Sequence, residues 1–466
     1  MEKEIRFGTD GWRAIIGEDF TDENLVRVVE AAAKIFQEDF GGTINPTLII
    51  GYDCRVDARR YAELAASVAA ACGFKVELSR DYCPTPALCW SIAQNDAAVG
   101  GIMLTSSHNP AEYHGVKLRM PDGGASSQEF TDRVEAALAQ SPTDKRGNFS
   151  DVDLVSPYLD ALKGIVDTGA IRAAKLRIVV DPLFGAGRIY LARLLEELGV
   201  EVVEINNAAD PSFEGLHPEP IPPWTDRAAA KVKELGFDAA FITDGDADRI
   251  GAIDEDGSFV NPHRIMTMLV SHLVEDKGLC GRVVSTVTAS ALLVRECNRL
   301  GLELDLMPVG FKWIYSEMGK GGVLIGGEES GGIGIPTHIK ERDGLLMALL
   351  LAETMAHRQK SLKALVEELF EKLGQMEFSR RGLFISAAQM ERFRSETVPD
   401  YTPEGFYGRA LAEIDRRDGI KLCFADDSWV MMRPSGTEPL VRIYAEAPTM
   451  AEVEELLAAA ESVVTA

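Results

Sequence analysis

Three successive stretches of the chain alternate short β-branched runs with amphipathic helical segments, punctuated by Gly and Pro. This switching of hydrophobic period constrains the fold most, because elements in that order pack as layers of helix on sheet. In the first stretch Thr21 stands as an N-cap before "DENLVRVVEAAAKIF", "TLIIGYD" reads as a strand and "RRYAELAASVAAACGF" as a second helix. In the second, "KLRIVVD" and "VEVVEIN" bracket the helix "RIYLARLLEELG", and "FDAAFITDGDADRIGAIDEDG" reads as two strands around a loop. The third runs through "RVVSTVT", "LELDLMPVG" and "GGVLIGGEESGG" to the apolar helix "GLLMALLLA". From about Gln375 the pattern changes to antiparallel strands, "SWVMM" and "VRIYAEA", around a Pro/Gly turn. A helix with a capping box from Thr449 to Glu452, presenting Val453, Leu456, Leu457 and Ala460 on one face, closes a small α+β unit.

A chain of 466 residues exceeds one hydrophobic core and suggests three or four domains. The polar stretch "QSPTDKRGNFSDVD" and the turn from Asp254 to Gly257 serve as boundaries, so the units expected are 1–153, 154–255, 256–374 and 375–466. The longest apolar run, Gly344 to Ala352, is under half the roughly 20 residues needed to cross a bilayer. The amino terminus, "MEKEIRFGTDGW", lacks the pattern of a signal peptide. Seven cysteines stand singly with no CxxC pair, which fits reduced thiols and cytoplasmic residence. A net charge of −25 disfavours nucleic acid, so an anionic ligand would need a local basic site.

Four loops carry candidate chemistry. "DGDADR" brings Asp244, Asp246 and Asp248 within reach of one hard cation, Mg²⁺ or Ca²⁺, with Arg249 directly behind. An EF-hand shares this spacing and even finds Glu255 at its twelfth position, but Arg249 occupies the place of the required glycine and the flanks read as strands. A solvated acidic turn is the plainer alternative, and apolar strands on both sides weigh against it. "MRPSGTEP" places Arg433, Ser435, Gly436 and Thr437 in a turn suited to a phosphate, though it is also ordinary turn composition. "GGEESGG" offers Glu328, Glu329 and Ser330 to a polyhydroxylated ligand, and by itself reads as a plain turn. "TSSHNPAEYHGVKL" sets Ser107 beside His108 and ahead of Lys117, a nucleophile arrangement or a structural histidine at a strand end. Two further motifs fail: Tyr190 replaces the third glycine of a dinucleotide fingerprint, and Glu328 replaces the first glycine of a hydrolase elbow around Ser330.

In this order the four loops resemble those of the α-D-phosphohexomutase family, and the resemblance extends over the whole chain. "TSSHNP" looks like its phosphoserine loop, "DGDADR" its magnesium loop, "GEESGG" its sugar loop and "RPSGTEP" its phosphate loop. "FGTDGWR", "GYDCR", "PTPA", "NPAEYHGVK" and "HPEP" are secondary matches. The resemblance implies a heart-shaped α/β molecule of four domains, three α/β domains with mixed sheets followed by one α+β domain, each lending a loop to a central cleft. It also implies reversible phosphoryl transfer between O1 and O6 of a hexose phosphate, through glucose 1,6-bisphosphate as intermediate and activator.

On that resemblance Ser107 carries the phosphoryl group, while Ser106 stands where the family often has alanine. Mg²⁺ would be held by Asp244, Asp246, Asp248 and phosphorylated Ser107. Lys117 would act as general base and then acid, with Arg13, His108 and Arg249 around the transferring group. Gly310, Glu328, Ser330, His338 and Arg342 would face the sugar, and Arg433, Ser435, Gly436, Thr437 and Arg442 the phosphate that is not reacting. "GEESGG" with "HIKERDG" resembles the phosphoglucomutase branch, and Gly332 stands where the bifunctional mannose/glucose branch usually has histidine. Glucose 1-phosphate is therefore the expected substrate, with phosphomannomutase or bifunctional activity as the alternative and phosphoglucosamine mutase behind it. A Ca²⁺- or metal-dependent phosphate-binding protein without turnover is the competing reading of another class. The expected partners are hexose phosphates alone, with no nucleic acid or membrane, and the state a monomer or homodimer.

Overall fold

The computed structural model describes residues 5–435 and 439–465. Its first sheet has seven strands in the order Phe7–Gly8, Gly11–Ile15, Tyr113–Arg119, Ala98–Leu104, Thr47–Tyr52, Lys75–Ser79 and Ser150–Val152. The apolar run before the serine loop forms the strand Ala98–Leu104, buried throughout, with a parallel neighbour on one side and the antiparallel Tyr113–Arg119 on the other. The helix Asp22–Phe40 starts where expected, the Thr21 side chain accepting from the Asn24 N–H. "FGTDGWR", which carries no strand-like period of its own, forms the antiparallel pair of short strands at the sheet edge.

A second sheet of five strands and a third of four are likewise mixed. The last sheet has six strands, antiparallel throughout, and is closed by the helix Met450–Thr465. The capping box at Thr449 and Glu452 forms as expected, and Val453, Leu456, Leu457 and Ala460 are fully buried. Two boundary regions contain pairing that composition does not report. Ser150–Val152, in the polar stretch, adds a parallel strand to the first sheet, and Asp254 to Gly257 is the turn of a hairpin whose return strand, Phe259–Val260, stays in the second sheet.

One apolar core runs continuously through the first three units, from Ile49, Leu88 and Met103 through Leu159, Ile178 and Phe241 to Leu292, Ile325 and Leu349. The helix Gly344–Arg358, buried from Gly344 to Ala356, packs against both the second and third sheets. It is hydrophobic all round because it is covered all round. The Asp343 side chain caps it by accepting from the Leu346 N–H, and also accepts from the Tyr158 hydroxyl at 2.7 Å.

Asp343→Ala should therefore remove a helix cap and strand a buried phenol, for a loss of about 2–4 kcal/mol. The expected outcome is a lower midpoint in urea unfolding followed by circular dichroism, with Asp343→Asn losing less.

Candidate active site

All four candidate loops are connections between antiparallel neighbours. The serine loop joins Ala98–Leu104 to Tyr113–Arg119, the aspartate loop Ala239–Thr243 to Ile250–Asp254, the glutamate loop Val323–Gly327 to Ile333–Gly334, and the phosphate loop Trp429–Pro434 to Leu440–Ala447. In the three mixed sheets the strand entering the loop is also paired to a parallel neighbour, so these loops lie at its carboxyl end. That is where open α/β sheets present their ligand sites.

The serine and aspartate loops touch. Ser107, 1% exposed and with φ of +51°, donates from Oγ to Asp244 Oδ2 at 3.1 Å. A β-carbon on Gly245 would lie 2.3 Å from the Ser107 carbonyl oxygen, so only glycine lets the two backbones approach this closely. Thr85, at the start of the "PTPA" helix, donates its hydroxyl to Asp246 Oδ2 at 2.5 Å and its N–H to the Asp246 carbonyl at 2.9 Å. The Lys117 ammonium lies 2.7 Å from Asp246 Oδ2, 3.0 Å from Asp248 Oδ2 and 2.9 Å from Asp10 Oδ2. Burial alone would push Lys117 down, but these carboxylates outweigh it and hold its pKa up.

Asp244, Asp246 and Asp248 are completely buried, and one ligand oxygen from each lies within 4.8 Å of the others. Burial and the charges of Asp248 and Asp246 push Asp244 well above the usual carboxylate range. Asp246 Oδ1 and Asp248 Oδ1 are buried without a hydrogen-bond partner among the described residues. Crowded hard oxygens with unfilled acceptor capacity fit a divalent cation of the Mg²⁺ or Ca²⁺ type. The EF-hand reading fails on geometry. Glu255 lies beyond the far end of the strand Ile250–Asp254, about 15 Å or more from the loop at roughly 3.3 Å per residue, and it accepts instead from the Lys363 N–H.

Arg249, near-buried, has its guanidinium 3.4 Å from Glu219 Oε1 and within 3.9 Å of Asp244. Arg13, half-buried, donates to Asn109 at 2.6 Å. His108 lies 3.4 Å from Ser107 Oγ and beside His217, and burial with Arg249 and Arg13 nearby lowers its pKa well below the ordinary value, keeping the ring neutral.

The glutamate loop joins this group through backbone: Ile250 N–H donates to the Gly331 carbonyl at 3.0 Å. Glu328 Oε1 accepts from the Gly310 N–H at 2.9 Å, and burial together with Glu329 raises Glu328 to about 7. Arg342 reaches Asp10 at 2.5 Å and Asp248 at 2.8 Å, with its guanidinium over Phe311. Ser330 is half-buried in the loop between them. The His338 side chain is 4% exposed and 3.2 Å from the helix cap Asp343. Arg433 is bound to Asp418 Oδ2 at 2.7 Å, and the same oxygen accepts from the Val309 N–H, which links the phosphate loop to Gly310. The Ser435 N–H donates to the Leu440 carbonyl, and Arg442 is the exposed cross-strand partner of Arg433. Gly436 and Thr437 lie outside the described residues.

Sequence reasoning missed Asp10, Thr85, Glu219 and Arg380. Asp10 accepts from Lys117, Arg119 and Arg342, joining the first and third units, and Glu219 pairs with both Arg249 and Arg380. The signals were the secondary motifs "FGTDGWR", "PTPA" and "HPEP" for the first three; no motif contained Arg380.

Comparison with known proteins agrees along the chain. Residues 4–145, 156–257 and 261–373 match models of the α/β/α domains I, II and III of phosphoglucomutase/phosphomannomutase, and 398–462 match the C-terminal domain. A phosphoglucomutase/phosphomannomutase of Thermococcus kodakarensis is 31% identical, with 97% of this chain and 96% of that protein covered. A phosphoglucosamine mutase of Rubrobacter xylanophilus is 30% identical over 96% and 94%. A phosphoglucomutase of Komagataeibacter xylinus is 27% identical over 95% and 87%. A crystal structure of a candidate phosphomannomutase from Thermus thermophilus superposes with a TM-score of 0.89, at 35% identity and full coverage of both chains.

Replacing Asp246 by Asn should weaken binding of Mg²⁺ or Mn²⁺ alone by more than about 100-fold, the upper end of what even an outer-shell partner costs. Glu329→Gln should leave it unchanged, as read by isothermal calorimetry.

Proposed function

Because the chain belongs to the phosphoglucomutase/phosphomannomutase (α-D-phosphohexomutase) family, we propose that it interconverts α-D-glucose 1-phosphate and glucose 6-phosphate. As a member it is an intramolecular phosphotransferase acting on hexose phosphates. The observation that carries the reading is the buried Ser107 hydroxyl, 3.1 Å from Asp244 in a cation-binding cluster, with Lys117 on the same aspartates.

Phosphorylated Ser107 gives its phosphoryl group to the free hydroxyl of the sugar phosphate. The bond from phosphorus to Ser107 Oγ breaks and one to the sugar oxygen forms; Lys117, held protonated by the carboxylates around it, takes the hydroxyl proton as its own passes to the leaving Ser107 Oγ. The resulting glucose 1,6-bisphosphate turns over and returns its other phosphoryl group to Ser107, while Lys117 gives the proton back. Mg²⁺ held by Asp244, Asp246, Asp248 and the Ser107 phosphoryl oxygen would supply charge neutralisation at that group. Arg13, Arg249 and neutral His108 line the side of the loop where negative charge is carried. Glu328 and Ser330 would accept from and donate to sugar hydroxyls in either orientation, with Gly310 and Arg342 beside them. Arg433, Ser435, Gly436, Thr437 and Arg442 would hold the idle phosphate. His338 serves this reading only indirectly, through the helix cap.

Preference for glucose is supported by position 332. Gly332 stands where the bifunctional branch usually has histidine, and a β-carbon there would lie 2.2 Å from Arg342 Cδ, so a larger residue would require Arg342 to move. We read the enzyme as cytoplasmic, from its scattered single cysteines, and as a monomer or homodimer.

Three outcomes test these assignments. In kcat/KM for glucose, mannose and glucosamine 1-phosphates with a trace of the matching bisphosphate, glucose should lead, and a lead for either other sugar would reassign the substrate. Ser107→Ala should lose turnover by roughly 10⁴-fold or more and lose the covalent phosphate seen by intact mass, whereas Lys117→Met should lose about 10²–10⁴-fold. The Glu328 carboxyl, raised from 4.5 to about 7, accepts from a sugar hydroxyl most strongly when ionised. So kcat/KM should fall as pH drops below about 7, while the same raised pKa makes folding more favourable from pH 7 down to about 4.5. Glu328→Gln should flatten both trends, measured by pH–rate profiles and urea unfolding.

A further inference from the structure

The loop that carries Ser107 is held from behind by one arginine. Arg55 lies just after the strand Thr47–Tyr52, its side chain 0% exposed. A guanidinium has five N–H donors, and all five are engaged. Nε donates to Asp53 Oδ2 at 3.1 Å, Nη1 to the carbonyls of Pro110 at 2.7 Å and Tyr113 at 3.0 Å, and Nη2 to those of Ser107 at 2.7 Å and Asn109 at 2.6 Å. The Phe213 ring of the second unit lies 5.1 Å from the guanidinium carbon. Thr105 closes the circuit, donating its hydroxyl to Asp53 Oδ2 at 2.6 Å and accepting the Ser107 N–H at 2.8 Å.

Between these anchors Ser107 holds a φ of +51°, a left-handed backbone that a β-carbon disfavours. Such a conformation persists only where its surroundings over-determine it. Here the peptide N–H of Ser107 is fixed by Thr105 and its carbonyl by Arg55, so both sides of the residue are set.

We propose that Arg55 is a positioning residue for phosphoryl transfer, moulding the segment from Ser107 to Tyr113 so that Ser107 Oγ faces Asp244. Its hydrogen bonds act on geometry, since none of its five donors goes to the aspartate cluster, whose charges it feels only at longer range. Four carbonyls converging on one plane require the two-pronged fork of arginine. Lysine, a point charge with three donors, cannot reproduce it. The inference rests on Ser107 being the phosphoryl carrier.

The test compares Arg55→Lys and Thr105→Val with the unmodified enzyme. In Arg55→Lys, amide hydrogen exchange over 105–113 should rise at least about tenfold while 239–250 stays unchanged. kcat and the rate of Ser107 phosphorylation by glucose 1,6-bisphosphate should both fall about 100-fold, the scale of a 1 Å misplacement. KM for glucose 1-phosphate and the affinity for Mg²⁺ alone should stay within about threefold. Thr105→Val should repeat the pattern at about tenfold, and it decides the question if Arg55→Lys does not fold. Unmodified kcat in the variant that decides, or losses in KM and Mg²⁺ affinity as large as the loss in kcat, would overturn the proposal. If the unmodified enzyme turns over no hexose phosphate, the proposed function fails instead, and the exchange comparison alone then decides for Arg55.

Discussion

Three carboxylates in one loop, all shut off from solvent, are what the rest of the molecule must satisfy. Even after relaxation, burying a charge costs several kcal/mol per ion unless partners are placed around it. For Asp244, Asp246 and Asp248 those partners come from different units: Lys117 from the first, Arg249 from the loop itself and Arg342 from the third. The second sheet cannot settle this loop alone. Its electrostatics tie the first three units together, and the oxygens left without partners among the described residues are the ones a cation would fill.

The same requirement explains why three units share a core while the fourth is attached differently. Asp10, Lys117, Arg119 and Arg342 form a buried lattice between the first and third units, above a continuous apolar interior. Of the fourth unit Met376 reaches that interior, and a separate cluster, Val287, Val309, Trp429, Met431 and Tyr444, joins it to the third. Beside it the buried Glu446 accepts from Ser290 and from the Ala291 N–H at the start of a helix in the third unit. On the second unit's side its contact is the ion pair between Arg380 and Glu219. Ion pairs of Arg264 with Glu377 and of Arg295 with Asp427 add to the seat on the third unit.

Much of this was legible because it is local. Period-two and helical patterns reported the strands around each loop, and the alternating aspartates of "DGDADR" announced a cation site, because neighbouring residues create both signals. The short strands Phe7–Gly8, Gly11–Ile15 and Ser150–Val152 escaped, since a few residues at a sheet edge have too little pattern to register. His338 shows what chain proximity leaves out. Proximity to Arg342 along the chain suggested a place at the sugar, and what the fold adds is a 3.2 Å approach of its imidazole to Asp343.

The sequence by itself determined the layered architecture, through its periodicity, and the four loops with their order; the chemistry of those loops came from their joint resemblance to a known family, since three of the four also read singly as ordinary turns or a strand end. Tertiary structure decided what the residues do to one another. It set Asp10 beneath a lysine and two arginines, aimed Ser107 at Asp244 through a left-handed backbone, and turned both prongs of Arg55 onto carbonyls up to fifty-eight positions away. The physical reason is that charge compensation and backbone strain depend on distance in space, and positions far apart along a chain carry no mark of the partner they will meet.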